Sequence, residues 1–323
     1  MLWLVPACVT VAVACALATG ALQNPLRRRD ILDRPNERSS HKNPTPRGGG
    51  LAVVPIVLAA WLIAAGAALP AILAVTVIAA AGLALLSWID DLRSLPAGLR
   101  FAVQAVVVGV AVIWLREEGL VFQGLLPPWL DTLAAAIGWL WFINLFNFMD
   151  GIDGLSGVEG MTIGTGLALL AVVAPAAAPP AWLGASLAAA LAGFLLWNWH
   201  PARIFLGDVG SVPLGFLFGF LLLLLAARGL WAPALILPLY YLADATITLT
   251  RRAAAGKPFW RAHREHFYQR ATQGGLSHAH VSLAVLSGNL VLVGLALIAV
   301  SAPFAALGAA VLVVVLLLMW MRP

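Results

Sequence analysis

The feature that most constrains this chain is a succession of apolar runs of about 17–20 residues, the length an α-helix needs to cross the hydrocarbon of a bilayer. Eleven can be read: 2–22, 51–69, 71–87, 99–115, 132–148, 161–178, 181–197, 211–227, 230–250, 281–299 and 303–321. Breaks at Pro70, Pro179-Pro180, Arg228-Gly229 and Ser301-Ala302-Pro303 leave hairpins too short to be domains. With 62% hydrophobic and 10% charged residues, no single soluble core could hold the apolar side chains. The expected fold is all-α: one polytopic integral membrane domain over 1–323, with about eleven transmembrane helices and no internal repeat.

The first run is read as a retained helix, not a signal peptide. It lacks a positive n-region, its apolar core is long, and the basic cluster follows it. Cys8 and Cys15 lie seven residues apart on one face of that helix and read as small packing residues, not as a disulfide or metal site.

Charge then fixes an orientation. When the connections are numbered alternately, every Lys and Arg except Arg116 and Arg228 falls on one side. All six histidines fall there too, and so do all the acids except Glu117, Glu118 and Asp131. The positive-inside rule makes that side cytoplasmic, so the N-terminus is expected outside and the C-terminus inside. A net charge of +5 therefore speaks of topology and of anionic substrates or membrane lipid, not of nucleic acid.

Five cytoplasmic loops, near 23–50, 88–98, 147–160, 198–211 and 251–280, carry the polar chemistry. The richest is Asn144-Leu-Phe-Asn147-Phe-Met-Asp150-Gly-Ile-Asp153-Gly-Leu-Ser-Gly157. Carboxylates beside hydrocarbon cost several kcal/mol each unless paired, hydrated or metal-bound, so they read as functional. A plain turn whose Asx residues cap the next helix is the alternative. In the first loop, Lys42 and Arg47 stand beside Gly48-Gly49-Gly50, a set of cations and backbone amides suited to phosphate oxygens. Asp90-Asp91 ends the third run, where the helix dipole disfavours negative charge. Asn198 precedes Phe205-Leu-Gly-Asp208-Val-Gly-Ser211, whose carboxylate suits Mg²⁺, with Phe205 able to stack on a base. The last loop holds His263-Arg264-Glu265-His266, with two histidines at i,i+3, a spacing that can face both one way on a helix. A transition metal there would need further ligands, and only Asp244, His278 and His280 are near in sequence, so anion binding is the expectation.

Taken together, these loops suit phosphoryl transfer between a nucleotide donor and a lipid acceptor at the cytoplasmic membrane surface. The chain resembles the polyprenyl-phosphate N-acetylhexosamine-1-phosphate transferases along nearly its whole length. The resemblance rests on Asp90-Asp91, Asn144-x-x-Asn147-x-x-Asp150-Gly-x-Asp153-Gly, Phe205-x-Gly-Asp208-x-Gly-Ser211 and Pro44-Thr-Pro-Arg-Gly-Gly. It implies transfer of a sugar 1-phosphate from a UDP-N-acetylhexosamine to undecaprenyl phosphate, releasing UMP, with Mg²⁺ (or Mn²⁺) as cofactor. By motif position Asp208 is the metal ligand, and Asp90 and Asp91 serve the acceptor phosphate. Asn147, Asp150, Asp153, Asn198 and Phe205 surround the uridine and diphosphate, with Lys42, Arg47, Asn144, His263, Arg264 and His266 as further substrate contacts. The family implies a bacterial inner membrane. The His263–Arg270 variant resembles the subgroup that starts O-antigen chains with UDP-N-acetylfucosamine, UDP-N-acetylquinovosamine or UDP-N-acetylglucosamine, and argues against a peptidoglycan precursor. The oligomeric state stays open, a homodimer included.

Two other readings compete. A CDP-alcohol phosphatidyltransferase needs an Ala-Arg pair shortly after its second Asp and two further aspartates on the same helix; here Asp153-Gly-Leu-Ser is followed by Gly157-Val158, with no Asp until Asp208. A transporter would place charge near helix centres and show repeated, broken helices, whereas these acids cluster at helix ends.

Overall fold

A computed structural model describes residues 3–35, 43–258 and 263–322. Within them the helices are α1 (Leu4–Arg28), α2 (Gly50–Ala65), α3 (Ala71–Arg93), α4 (Ala97–Leu115), α5 (Pro128–Phe148), α6 (Leu155–Val173) and α7 (Ala181–Asn198). They continue as α8 (Asp208–Ala227), α9 (Trp231–Ile236), α10 (Leu239–Ala254), α11 (Phe267–Gln273), α12 (His278–Ile298) and α13 (Pro303–Trp320). A two-residue ribbon, β1 (Leu32–Asp33) against β2 (Thr45–Pro46), is antiparallel.

Among the described residues, ten helices are long and apolar enough to cross a membrane: α1 to α8, α12 and α13. The protein is thus all-α and polytopic. The remaining run, 230–250, is not one helix. It breaks between Ile236 and Leu239, where Pro238 stands, because a proline has no N–H for the helical ladder and crowds the turn before it. The two pieces in series still run beside α13 from end to end: Trp231 meets the ring of Phe304, and the Tyr240 hydroxyl meets Met321.

One helix organises the rest. α8 is apolar on nearly every side and is enclosed by its neighbours instead of by lipid. Its apolar window is 94% buried, against 11% for α1 and 22% for α13. Along α1, Val5, Val9, Val13 and Leu17 form an exposed stripe at helical spacing, as a lipid-facing side requires. α3 and α5 lie along α8. Trp139 of α5 stacks on Phe216 at 4.7 Å between centroids and donates its indole N–H to the Phe216 carbonyl at 2.9 Å. The two backbones come close at Gly215, where a Cβ would stand 3.0 Å from the Ile143 Cα. Because α8 is enclosed, its first residue, Asp208, sits at the middle of one end of the bundle. Cys8 and Cys15 are free thiols, Cys15 buried beside Thr19, in keeping with a packing role.

Candidate active site

Four helix ends and one loop meet at Asp208. The end of α3 supplies Asp90 and Asp91, which point in different directions. Asp90 accepts the Leu95 N–H at 2.7 Å and pairs with Arg100 of α4 at 2.6 Å. Asp91 accepts the N–H groups of Asp208 at 3.2 Å and Val209 at 3.0 Å and pairs with Arg47. The misplaced acid at the C-terminus of α3 is therefore well placed at the N-terminus of α8, whose dipole favours it. Gly207 permits this contact: its φ is +76°, and a Cβ there would come within 2.9 Å of the Asp91 carboxylate.

Asp208 accepts from Asn147 of α5 at 3.1 Å and from Arg100 at 3.2 Å, and Asn147 also reaches the Ser211 hydroxyl at 2.8 Å. Three carboxylates thus share two guanidiniums. Asp90 and Asp91 have side chains only 5% and 1% exposed, while Asp208 is 23% exposed and has an open edge. Surplus negative charge, hard oxygen donors and one accessible carboxylate suit Mg²⁺, which is held by few protein ligands and keeps its waters. Arg100 also has a buried Nε without a protein acceptor, a donor left over for a ligand oxygen.

The expectation about backbone amides in the first loop is corrected here. The N–H groups of Gly48 and Gly49 donate to the Phe205 carbonyl at 3.1 and 2.8 Å, and that of Gly50 to Leu206 at 2.9 Å. The glycine run clamps the first loop onto the 198–211 loop, and Arg47 is the part left facing the site. Likewise the amides opening α8 are taken by Asp91, so they are not free for phosphate. Lys42 lies outside the described residues.

The remaining expected residues divide among three places. Asp150 follows Asn147 in the α5–α6 loop, where burial pushes its carboxyl up to about 7 against a hydrogen bond with Ser156, and the charges of Asp208 and Asp91 add to the rise. Asp153 belongs to a second cluster with His200 at 2.6 Å and His278 at 3.3 Å, and its carboxyl is held below the usual range: burial opposes this, and the two histidines outweigh it. Asn198 is buried and staples two loops, accepting from Gly154 N–H at 3.0 Å and donating to the Ile204 carbonyl at 2.9 Å. Asn144 is one turn back in α5 and bonds Gln104 of α4 at 2.9 Å, outside the group around Asp208.

The two late histidines do not share a helix face. His266 is the N-cap of α11 in a capping box with Gln269, and His263 precedes the helix, stacked on His266 at 4.8 Å. His266 lies 3.3 Å from Asp244, a fully buried acid that also accepts the N–H groups of Phe267 and Tyr268 at 3.0 and 3.2 Å. Burial, with the charge of His266, lowers His263 to about 4. Arg264 between them accepts from Gln273 through its carbonyl at 2.8 Å. Tyr268 donates to the Phe148 carbonyl at 3.0 Å, which seats this segment against the end of α5.

Sequence reasoning passed over Arg100, Ser211 and Asp244 as site residues. Arg100 and Asp244 carried a usable signal, since each is a lone charge at or within an apolar run. Ser211 carried none beyond its motif.

Comparison with known proteins follows the same residues. The model of the family "Glycosyl transferase family 4" matches residues 73–226, which include Asp90, Asp91, Asn147 and Asp208. The chain is 29% identical to the probable undecaprenyl-phosphate N-acetylglucosaminyl 1-phosphate transferase of Bacillus subtilis, over 84% of this chain and 79% of that one. It is 29% identical to the decaprenyl-phosphate N-acetylglucosaminephosphotransferase of Mycobacterium leprae, over 86% and 79%. A phospho-N-acetylmuramoyl-pentapeptide-transferase of Synechococcus is 30% identical, over 80% and 77%.

Proposed function

The chain belongs to glycosyl transferase family 4, the polyprenyl-phosphate hexosamine-1-phosphate transferases, and we propose that it transfers the sugar 1-phosphate of a UDP-N-acetylhexosamine to undecaprenyl phosphate. The observation that carries this reading is the meeting of Asp90, Asp91 and Asp208 with Arg47, Arg100 and Asn147 at one end of an apolar bundle. A lipid phosphate and a soluble nucleotide both reach such a place, and neither reaches the middle of the bundle. An oxygen of the acceptor phosphate attacks the sugar-bearing phosphorus of the donor; the bond from that phosphorus to the bridging oxygen breaks, and UMP leaves with the electron pair. The two anions repel, so most of the catalysis is positioning and charge neutralisation. Arg47 and Arg100 are the fixed cations for this. Asp90 and Asp91 act through them, holding each guanidinium and the opening turn of α8 in place. Asp208 would be the principal holder of Mg²⁺, or Mn²⁺ in its stead, and that ion would supply further positive charge to the reacting phosphates. Asp150 and Asn147 border the diphosphate, and Phe205, on the loop clamped by Gly48 and Gly49, is the side chain offered to the base.

For the sugar, the His263–Arg270 segment favours a UDP-N-acetylated 6-deoxy sugar modestly over N-acetylglucosamine, in a pathway that starts O-antigen or a related surface polysaccharide. The distribution of Lys and Arg supports an active site on the cytoplasmic face of a bacterial inner membrane, with the N-terminus outside. The test is a panel of radiolabelled UDP-N-acetylhexosamines incubated with the solubilised protein and undecaprenyl phosphate, reading label in the lipid fraction and UMP released. Label transfer from N-acetylated sugars is the expected result. Efficient transfer from UDP-N-acetylmuramoyl-pentapeptide overturns the sugar assignment, and no UMP with any donor overturns the reaction.

A further inference from the structure

We propose that Asp153, His200 and His278 form a second metal site, for a borderline dication such as Zn²⁺, separate from the carboxylate cluster at Asp208. These residues come from the α5–α6 loop, the α7–α8 loop and the first turn of α12. Among the described residues they are the one group of three whose ligating atoms all lie within 4.8 Å of one another.

The geometry is close to what a tetrahedral ion needs. With metal–ligand bonds of about 2.0–2.1 Å, adjacent ligand atoms stand about 3.3 Å apart. His278 Nδ1 lies 3.3 Å from Asp153 Oδ1. His200 Nδ1 lies 2.6 Å from the other carboxylate oxygen, a hydrogen bond whose proton an ion would displace, with a small opening of the pair. The Asp153 N–H lies 3.4 Å from His278 Nδ1, a long contact that an ion on the same nitrogen would replace.

The surroundings hold the ligands in place, as second-shell partners of a metal do. The Ala202 N–H donates to Asp153 Oδ2 at 3.1 Å, and the Ser282 hydroxyl donates to the Asp153 carbonyl at 2.9 Å. The side chains of Asp153 and His278 are 7% and 11% exposed, while His200 is 39% exposed, so one side of the site is open to water. Two imidazoles and one carboxylate favour Zn²⁺ over Mg²⁺, whereas the all-oxygen cluster at Asp208 favours the reverse. An ion here would tie three segments of chain together just beyond Asp150. The site does not depend on which sugar is transferred, or on whether the proposed reaction is correct.

The test uses the full-length, untagged protein in detergent, stripped with a chelator and titrated with Co²⁺ as a spectroscopic probe, then with Zn²⁺. The expected result is one Co²⁺ per chain with the visible bands of a tetrahedral site, displaced by Zn²⁺ and not by Mg²⁺, and a Zn²⁺-dependent rise in the unfolding midpoint. Both signals should be lost in His200→Gln and His278→Gln and kept in Asp208→Asn and His263→Gln. Because His200 is exposed, His200→Gln keeps the fold, and its unfolding midpoint without metal verifies this. Absence of the bands in the wild-type protein, their survival in both His200→Gln and His278→Gln, or their loss in Asp208→Asn overturns the assignment.

Discussion

At the end of the bundle that carries Arg228, the buried and half-buried charges Asp131, Glu118 and Arg228 are closed into local contacts. Glu118 meets Arg228 at 2.7 Å, Asp131 accepts the N–H groups of Val121 and Phe122 at 3.0 and 2.8 Å, and Gln123 donates to the Ala226 carbonyl at 2.7 Å. At the other end, Asp90, Asp91 and Asp208 share Arg47 and Arg100, and Asp150 beside them is pushed up to about 7. Both ends solve the same problem, which is to finish helices at a membrane surface with polar residues. Closed pairs need nothing further, whereas surplus charge persists only if something else completes it. The contrast supports placing the proposed substrates and cation at the second end.

The comparison breaks most sharply at Asp208. Asp208→Asn keeps the shape and removes one charge from the open side, so turnover should fall by about 10³-fold or more while the unfolding midpoint changes little. UMP release across a Mg²⁺ titration, with thermal unfolding of both proteins, checks this. Near-normal turnover and metal dependence in the variant would move the metal to Asp150. Arg100→Gln comes next. It leaves the buried Asp90 without its cation and removes a cation from the phosphates, so we expect about a 10²-fold loss of kcat/KM together with a lower unfolding midpoint, of about 1–3 kcal/mol in stability.

A smaller effect at the same end is a matter of pH. Asp150 keeps its proton in the folded protein up to about 7, and an unfolded aspartate loses it near 3.8. The folded state therefore binds the extra proton between those values. The stability this gives is complete below the unfolded value and is lost as pH rises toward 7, after which it stays constant. Asp150→Asn cannot ionise, so it should match the wild type near pH 4 and be the more stable protein at pH 8. Unfolding midpoints measured at both pH values decide it; parallel curves would show that Asp150 has an ordinary environment.

Much of this arrangement was legible in the residues, and the limits are physical. Run length and hydrophobicity give the spanning helices because each helix satisfies its own backbone, with no partner needed. The same criterion misreads 230–250, where composition looks continuous and Pro238 divides it. The Asp90-Asp91 and Gly207-Asp208 motifs announce a site, but which groups face one another depends on packing across long separations in sequence. Arg100 reaching Asp208, and Asp91 seated on the first turn of α8, follow from how α3, α4 and α8 lie together. The glycines after Arg47 look like phosphate ligands in sequence because nothing there shows that the Phe205 and Leu206 carbonyls take their amides. His278 looks like a neighbour of His263 in sequence and lies beside Asp153 in space.

The smallest effect belongs to the closed end, and it tests the comparison from the other side. Glu118 and Arg228 have side chains 27% and 30% exposed, and they join the end of α4 to the end of α8 through a single carboxylate oxygen. Partly solvated pairs of this kind are worth about 0–1 kcal/mol, since the attraction is offset by side-chain ordering and screened by salt. Glu118→Gln keeps the volume and a hydrogen-bonding oxygen for Arg228, so the loss should sit at the low end of that range and shrink further in high salt. Catalysis should not register it, because Glu118 lies at the far end of α8 from Asp208 and no charge develops there. Unfolding midpoints at low and high salt, with UMP release measured on the same preparations, provide the check. A loss of turnover in Glu118→Gln comparable with that in Arg100→Gln would mean that the closed end is coupled to the chemistry, and the division between the two ends would fail.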